Sequence, residues 1–269
     1  MNVKHIVSVF VFGIILILGV MLCAVSCDFI KFVDDTPAAS DSIEKFDEPD
    51  ESDGDSVLTE SLADETTEAP TEPPKVLAVN PKFNEYLEIN EDVVGNIRIP
   101  NTIINFLVLY NGDNDFYLNH SIYKKEDAYG SIFMDCTNHG AILNKNTIIH
   151  GHNFADGKIF ADVENFKQKE FFDNNKTIIF NNLYSDMEWE VFAVYVVHSD
   201  DYFLQSSFRS DEDFFKFIEK IKSVSIFWRD YTPSSDDYIL SVHTCSYEYE
   251  KAHTIVQAKL VSKVDNWEE

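Results

Sequence analysis

The strongest constraint on the fold of this chain is a series of eight short apolar runs in its C-terminal part. Each run is rich in Ile, Val, Phe and Tyr and is bounded by Gly, Asn or Asp, which is typical of β-strands separated by turns. The runs cover residues 96–99, 103–109, 131–134, 147–150, 177–181, 188–197, 238–244 and 254–261. Eight short strands with few helices predict a mainly β fold that closes, or nearly closes, into a barrel.

Two segments between these runs have helical patterns instead. Ser210 is followed three residues later by Asp213, which is the spacing of an N-terminal helix cap. An apolar stripe at helical spacing follows this cap and consists of Phe214, Phe215, Ile218 and Ile221. The stripe indicates a helix that packs against the sheet. Residues 160–172 are the second candidate. The predicted fold class is therefore mainly β with peripheral helices.

The net charge of −26 is distributed unevenly over the 269 residues. Residues 1–27 carry +1, residues 28–75 carry −13 and residues 76–269 carry −14. Nucleic-acid binding requires clustered Lys and Arg side chains that face phosphates. The chain has an excess of acidic side chains and only three arginines, at positions 98, 209 and 229. We therefore predict no nucleic-acid partner.

Residues 1–27 have the composition of a membrane anchor. About 20 predominantly apolar residues follow Lys4, and a helix of that length spans a bilayer core of about 30 Å. We predict a single-pass transmembrane signal anchor with its N-terminus inside, which places the rest of the chain outside the cell. Two alternatives stay open. One is a signal peptide cleaved after residues 24–26, and the other is a lipoprotein modified at Cys27.

Residues 28–75 are rich in Asp, Glu, Ser, Thr and Pro. So few apolar groups cannot offset the entropy that ordering would cost, and the like charges repel one another. We predict an acidic disordered stalk, with the folded domain at 76–269. The alternative, a calcium-binding acidic run, lacks the ligand spacing of an EF-hand.

Two predicted strands end in residues that could support thiol chemistry. Cys245 lies at the end of the strand at 238–244, and His152 follows the strand at 147–150. A cysteine and a distant histidine are the minimum for thiolate catalysis, and strand ends hold side chains in fixed positions. The alternative is a buried structural cysteine with surface histidines.

A metal site is a further possibility, because His150 and His152 are two residues apart. No acidic residue or cysteine lies close in sequence to act as a third ligand. The cysteines, at positions 23, 27, 136 and 245, also have no CxxC spacing. We predict no metal site.

The residues around Cys245 resemble those of a class B sortase. Residues 241–245, SVHTC, resemble the Thr-Leu-x-Thr-Cys motif of that family, and residues 150–153, HGHN, resemble its Tyr-Gly-His-Asn motif. Further matches are VGNIRIP at 94–100, DNDFYLNH at 113–120 and GSIFMD at 130–135. The resemblance covers about residues 84–262.

This resemblance implies an eight-stranded sortase-type β-barrel with extra N-terminal helices, one of them at 81–89. It also implies a transpeptidase without cofactors. The Cys245 thiolate would attack the carbonyl after Thr in the sorting signal of a secreted protein, and His152 would protonate the departing amine. An amine of a cell-wall precursor or a pilin would then resolve the thioester. Class B sortases are tethered outside the membrane of Gram-positive bacteria, which suits the predicted anchor and stalk. Sorting signals of the Asn-Pro-x-Thr and Ser/Pro-Pro-x-Thr types stay open.

One position departs from the family pattern. The family places an Arg at the start of the strand after the cysteine, where it donates hydrogen bonds to the oxyanion; this chain has His253 there. An ordinary histidine is mostly neutral at pH 7.4 and directs one donor at a given oxygen. Losing one oxyanion donor typically costs about 10²–10³ in rate. Two functions therefore stay open: a working transpeptidase, and a weakly active or inert sortase-like domain that binds sorting signals.

The neighbours of Cys245 are candidate substrate contacts, namely His243, Thr244 and Ser246. His243 lies two residues before Cys245, so strand alternation places both side chains on one face. We interpret His243, His253 or both as possible sources of the missing donor. The alternative is that His243 packs against its neighbours or faces solvent near the groove in which the substrate would bind.

Overall fold

The computed structural model describes residues 76–267. The predicted anchor at 1–27 and the predicted stalk at 28–75 lie outside the described residues. The described strands are β1 (Val93–Arg98), β2 (Asn105–Leu109), β3 (Ile132–Met134), β4 (Asn146–His150), β5 (Thr177–Asn182), β6 (Ser185–His198), β7 (Ser225–Trp228), β8 (Ile239–Ser246) and β9 (Ala252–Asp265). The α-helices are α1 (Asn84–Ile89), α2 (Lys169–Asn174) and α3 (Asp211–Val224), and 3₁₀ helices cover Pro81–Phe83, Phe116–Leu118, Ala161–Lys167 and Ser199–Asp201.

The strands form one sheet in the order β5-β1-β2-β3-β4-β8-β9-β6-β7, and β5 also pairs with β6. This last pairing closes eight strands into a ring and leaves β7 attached outside it. Two neighbouring pairs, β2–β3 and β4–β8, are parallel, and the other pairs are antiparallel. Closure leaves the eight barrel strands without a free edge. The prediction of a mainly β, eight-stranded barrel with N-terminal helices is confirmed.

The predicted elements agree with the structure except at two places. All eight predicted strands are present, and Pro81–Phe83 and α1 together form the predicted helix at 81–89. Strand β7 was not predicted, because it follows α3 directly with no turn residue between them. The predicted helix at 160–172 is wrong as one element. It is a 3₁₀ helix followed by α2, separated at Gln168, whose backbone is extended.

Helix α3 begins as its sequence predicts. The Ser210 side-chain oxygen accepts a hydrogen bond from the backbone N–H of Asp213 at 3.2 Å, which satisfies one of the unpaired donors of the first turn. Three of the four predicted stripe residues, Phe214, Ile218 and Ile221, are buried, and Phe215 is partly buried. The stripe packs on the outer face of β6, against Phe192, Tyr195 and other residues.

The barrel interior is filled by large side chains. Trp189 on β6 and Phe180 on β5 are fully buried there, with Phe160 and Phe166 from the segment after β4. The indole N–H of Trp189 donates to the Phe180 carbonyl at 3.1 Å, so its polar atom is paired. Residues 191–195 of β6 are therefore buried on both faces, by the interior on one side and by α3 on the other.

Two neighbouring strands place the candidate residues at one end of the barrel. Strands β4 and β8 are parallel, so both end on the same side. Strand β9 is antiparallel to β8 and begins at that side. Among residues 76–267, no helix is both long enough and apolar enough to cross a membrane.

Candidate active site

Cys245 lies one residue before the end of β8, where the sheet register fixes its neighbours. It pairs with His253 on β9, and Ser246 pairs with Ala252. Residues 247–251 connect the two strands and are exposed. His253 is therefore held across from Cys245 by backbone pairing, and this opposition does not depend on a flexible loop.

The segment after β4 is hydrogen-bonded along the end of β8. The Gly151 N–H donates to the His243 carbonyl at 3.2 Å, and the Thr244 hydroxyl donates to the Gly151 carbonyl at 2.7 Å. The Asn153 side-chain amide donates to the Cys245 carbonyl at 3.0 Å. These three bonds fix the segment that carries His152 to the end of β8 that carries Cys245.

Gly151 is required at this place by close packing. A Cβ atom there would lie 2.4 Å from the Ile132 side chain and 2.7 Å from the Phe160 ring. Any larger residue would displace the segment that carries His152.

Cys245 and His152 line the same cavity, which has a volume of ≈ 60 Å³. The cavity lies at the barrel end and is lined by Asn114, Leu118, Phe133, Asp135, His150, Gly151, His152, Tyr202, His243 and Cys245. Tyr202 belongs to the connection between β6 and α3. A cysteine and a histidine are thus brought together from strand ends 93 residues apart in sequence.

His152 is held in one orientation by a backbone carbonyl. Its Nε2 atom is 2.7 Å from the Leu118 carbonyl oxygen. A carbonyl can only accept, so Nε2 carries a proton and the ring gains or loses its second proton at Nδ1. Burial lowers the pKa of His152, and the bond to Leu118 offsets only part of that effect. The ring is therefore neutral at neutral pH and available as a base.

Three further histidines form a continuous hydrogen-bonded chain with a carboxylate. The His150 Nε2 atom is 2.8 Å from the Asp135 carboxylate, and its Nδ1 atom is 2.7 Å from the Nδ1 atom of His243. The His243 Nε2 atom is 3.1 Å from the Nδ1 atom of His253. We call Asp135, His150, His243 and His253 the histidine chain. It runs from the bottom of the cavity to the residue opposite Cys245.

The electrostatics of the histidine chain differ between its ends. Burial raises the pKa of Asp135, but hydrogen bonds from His150 and Thr137 and the charge of His150 outweigh it and hold this pKa well below its usual range. Burial, with a smaller repulsion from His150, lowers the pKa of His253 to about 4 and that of His243 far below its usual value. Asp135 is charged, and His253 by itself is neutral.

Comparison with known proteins identifies the family. Residues 97–261 match the family model of the sortase domain. Sortase B of Listeria monocytogenes is 37% identical over 188 residues, which are 69% of this chain and 76% of that protein. The chain belongs to the sortase family.

Solved structures agree with the assignment to class B. The complex of Staphylococcus aureus sortase B with substrate is 32% identical, with a TM-score of 0.64 over 68% of this chain and 86% of that one. A sortase B complexed with triglycine is also 32% identical, with a TM-score of 0.63 and the same coverage of 68% and 86%. This sortase is a class B cysteine transpeptidase.

None of the three arginines of this sortase, all within the described residues, lines the cavity. Arg98 ends β1 and lines a separate surface depression, and Arg209 lies beside α3. The Arg229 guanidinium donates to the carbonyls of Val191 and Phe172. Within residues 76–267, the residue paired with Cys245 on β9 is His253.

The other predicted contacts of Cys245 divide into two groups. His243 lines the cavity, as strand alternation predicted. Thr244 is fully buried and bonded to Gly151. The Ser246 hydroxyl is bonded to Glu164, Glu248 and Lys167 rather than facing the cavity. The geometry gives no support to a substrate contact by Thr244 or Ser246, because strand alternation directs their side chains away from the Cys245 face.

Sequence reasoning missed Asp135 and understated His150. Both belong to the histidine chain. The two ring nitrogens of His150 are hydrogen-bonded to Asp135 and His243. Within residues 76–267, no group of three or more His, Cys, Asp or Glu is arranged to hold a metal. A signal was present in the sequence: His150 ends one predicted strand and His243 lies near the end of another, and the two pair in register in the parallel β4–β8 pair.

The structure records Cys136 and Cys245 as disulfide-bonded. A sulfur bonded in a disulfide is not a thiolate, so nucleophilic chemistry at Cys245 requires reduction first. Assays of chemistry at Cys245 therefore require a reductant.

Proposed function

We propose that this sortase cleaves a sorting signal after Thr, forms a thioester on Cys245 and transfers the acyl group to an amine. The observation that carries this proposal is the shared cavity of Cys245 and His152. Three hydrogen bonds between the segment after β4 and the end of β8 support this arrangement. A fixed cysteine next to a neutral histidine is the arrangement that thiolate catalysis needs.

The path of the protons follows from the state of His152. In the acylation step, the Cys245 thiol gives its proton to Nδ1 of His152 and its sulfur bonds to the carbonyl carbon after Thr. The C–N bond then breaks, and His152 returns the proton to the departing amine. In the second step an acceptor amine attacks the thioester, His152 removes one proton from it, and the Cys245 sulfur leaves and is reprotonated. The depressed pKa of His152 suits this cycle, because the ring must begin each step neutral.

His253 is proposed as the group that faces the developing oxyanion. It is directly opposite Cys245 in the sheet, where the family has an arginine. A carbonyl attacked by Cys245 would develop its negative charge near this residue. The Nε2–H of His253 would then supply one hydrogen-bond donor where an arginine would supply two from its planar guanidinium.

The proposed donor substrates are secreted proteins with a sorting signal of the Asn-Pro-x-Thr or Ser/Pro-Pro-x-Thr type. The substrate complex of Staphylococcus aureus sortase B supports a peptide substrate for this fold. The sortase B complex with triglycine supports an amino-terminal amine as acceptor. We propose a cell-wall precursor or a pilin lysine as the natural acceptor.

The proposed location is the outer face of the cell membrane. The apolar residues 1–27 would anchor the chain with its N-terminus inside, and the acidic residues 28–75 would hold the barrel away from the surface. Protease added to intact cells should remove the barrel, and membrane fractions should retain a short N-terminal fragment. Recovery of the barrel in the cytoplasmic fraction would contradict this location.

The transpeptidase proposal is tested with the reduced full-length chain, labelled peptides carrying each sorting signal, and triglycine. We expect cleavage after Thr, a mass increase on Cys245 from the acyl group, and a peptide–triglycine product. Cys245→Ala should abolish all three, while His139→Gln, a change at an exposed histidine, should leave them intact. Wild-type chain that gives neither acyl adduct nor cleavage with any signal would overturn the proposal.

A second function is favoured by one observation, the absence of an arginine from the described cavity. A weakly active or inert domain that binds sorting signals would retain the substrate-binding surface but would lack a full set of hydrogen-bond donors to the oxyanion. It would bind labelled peptide with equal affinity in the wild type and in Cys245→Ala, and it would form no thioester. Acyl-adduct formation by the wild type would exclude this second function.

A further inference from the structure

We propose that Asp135, His150 and His243 are positioning residues that determine which ring nitrogen of His253 carries its proton. The histidine chain then presents an Nε2–H to the oxyanion, while the positive charge stays beside Asp135. This inference rests on the proposed function and names how that site replaces its arginine. It concerns residues that have no place in the cysteine–histidine chemistry itself.

The contacts of Asp135 fix one end of the chain. Its carboxylate accepts from the Thr137 N–H at 2.9 Å, the Thr137 hydroxyl at 2.6 Å, the Asn114 amide at 3.0 Å and His150 at 2.8 Å. A buried carboxylate with four donors stays ionised. An ionised carboxylate can only accept, so His150 must carry a proton on Nε2.

The remaining protons follow from this fixed end. In the neutral chain, His150 Nδ1 is an acceptor, so His243 carries its proton on Nδ1 and accepts at Nε2. His253 then carries its proton on Nδ1 and has a bare Nε2. A bare nitrogen would repel an oxyanion. The neutral chain is therefore the wrong state for acylation.

One added proton reverses both His–His bonds in the chain, while His150 still donates from Nε2 to Asp135. The proton binds Nε2 of His253, whose Nδ1 proton passes to Nε2 of His243. The Nδ1 proton of His243 passes to Nδ1 of His150. His150 becomes an imidazolium paired with Asp135, and His253 is neutral with an Nε2–H donor. The chain gains one proton taken from solvent, no covalent bond other than N–H changes, and the charge moves the full length of the chain.

This arrangement reconciles two features of His253. Burial and the nearby histidines lower its pKa to about 4, so it does not hold the charge itself. It can still be a donor, because the charge is stored on His150. The groups facing the chain are Tyr202, whose ring meets the edges of His243 and His253, His198, which lowers the pKa of His253, and His152 and Cys245 in the cavity. Among the residues that line the described cavity, Asp135 is the one acid.

The test is the pH profile of acyl-adduct formation by the reduced full-length chain and its Asp135→Asn variant. An asparagine can still accept from His150 but supplies no negative charge. We expect the variant's rate to fall at pH 7 by about 10-fold or more, to approach the wild-type rate on acidification, and to begin its alkaline decline at least about one pH unit lower. The ratio of the two rates cancels the titration of His152 and Cys245, which both proteins share.

A second background separates proton control from a structural role. His253→Arg provides a permanent donor, so adding Asp135→Asn to it should change the rate by less than about 2-fold. His139→Gln serves as the matched histidine control, and thermal midpoints monitor folding. Coincident pH profiles of Asp135→Asn and wild type would overturn the proposal. An equal Asp135→Asn loss in the wild-type and His253→Arg backgrounds would overturn it as well.

The failure of this inference is distinguishable from failure of the proposed function. A wild-type chain without any acyl adduct contradicts the transpeptidase itself. An active wild type whose pH profile ignores Asp135 contradicts only the histidine chain.

Discussion

Cys245 and His253 face each other across the antiparallel β8–β9 pair. Opposed residues in such a pair have Cα atoms about 4.5–5.5 Å apart, and their side chains lie on the same face of the sheet. Backbone pairing thus holds His253 next to the proposed nucleophile.

Replacing His253 should separate donor chemistry from simple packing. We expect His253→Ala to slow acyl-adduct formation by about 10² because one oxyanion donor is lost. His253→Arg should match or exceed the wild-type rate at pH 8, because its donor is always charged. The measurement is the rate of adduct formation under single-turnover conditions. Full wild-type rate in His253→Ala would show that His253 donates nothing to the reaction.

His152 should matter most when the leaving group needs a proton. We expect His152→Gln to lower cleavage of the peptide substrate by about 10²–10⁴. A thioester analogue of the same signal has a leaving group that needs no proton. The rate that His152→Gln loses with this analogue should therefore be clearly smaller. The exposed His139→Gln variant serves as the control in both assays. Equal losses for the two substrates would contradict a general-acid role.

Gly151→Ala should disturb the site through crowding. Its Cβ would lie 2.4 Å from Ile132 and 2.7 Å from Phe160, and such overpacking typically costs about 1–3 kcal/mol of stability. The shift should also move His152 and lower activity. Gly157→Ala is the matched comparison: its φ of +79° is strained but its Cβ would meet open space. That variant should lose stability alone, as measured by denaturant unfolding and peptide cleavage.

Trp189 should be the most costly aromatic side chain to remove. It is fully buried inside the barrel and its indole N–H is paired with Phe180. Trp189→Ala should lower the free energy of unfolding by about 3–5 kcal/mol. Trp228 lies on β7, outside the closed ring, and is only partly buried, so Trp228→Ala should cost less. Comparable losses in urea unfolding would contradict the assignment of the core.

The stability of this sortase should fall on acidification partly because of His253. Its pKa is about 4 in the folded state and near 6.5 in an unfolded chain. Between these values the unfolded state binds a proton that the folded state does not bind at this site. Stability is therefore present above about pH 6.5 and is lost progressively as pH falls toward 4.

The expected loss at His253 is at most about 3 kcal/mol, since each pKa unit corresponds to about 1.4 kcal/mol. His253→Gln removes the titrating group, so its free energy of unfolding should fall less steeply over the same range. The measurement is urea unfolding at several pH values between 7 and 4. Parallel curves for wild type and His253→Gln would contradict the depressed pKa.

The sequence by itself determined the strands and the two proposed reacting residues, and its family resemblance implied the closed barrel. Alternating apolar runs can be buried only as strands, because their period of two matches a pleated sheet. The cap at Ser210 and the stripe from Phe214 likewise depend on contacts within a few residues, so α3 was predictable. Cys245 and His152 were found because each lies in a short local motif.

Only the tertiary structure decided how the histidines are connected. His150, His243 and His253 lie on three strands, and Asp135 lies just after a fourth. Their bonds depend on the order β3-β4-β8-β9 and on a parallel β4–β8 register that no local pattern encodes. Tertiary packing likewise decided that β7 forms and that the arginines lie away from the cavity. Local sequence fixes which residues can form strands, but the partner and register of each strand depend on packing of the whole barrel.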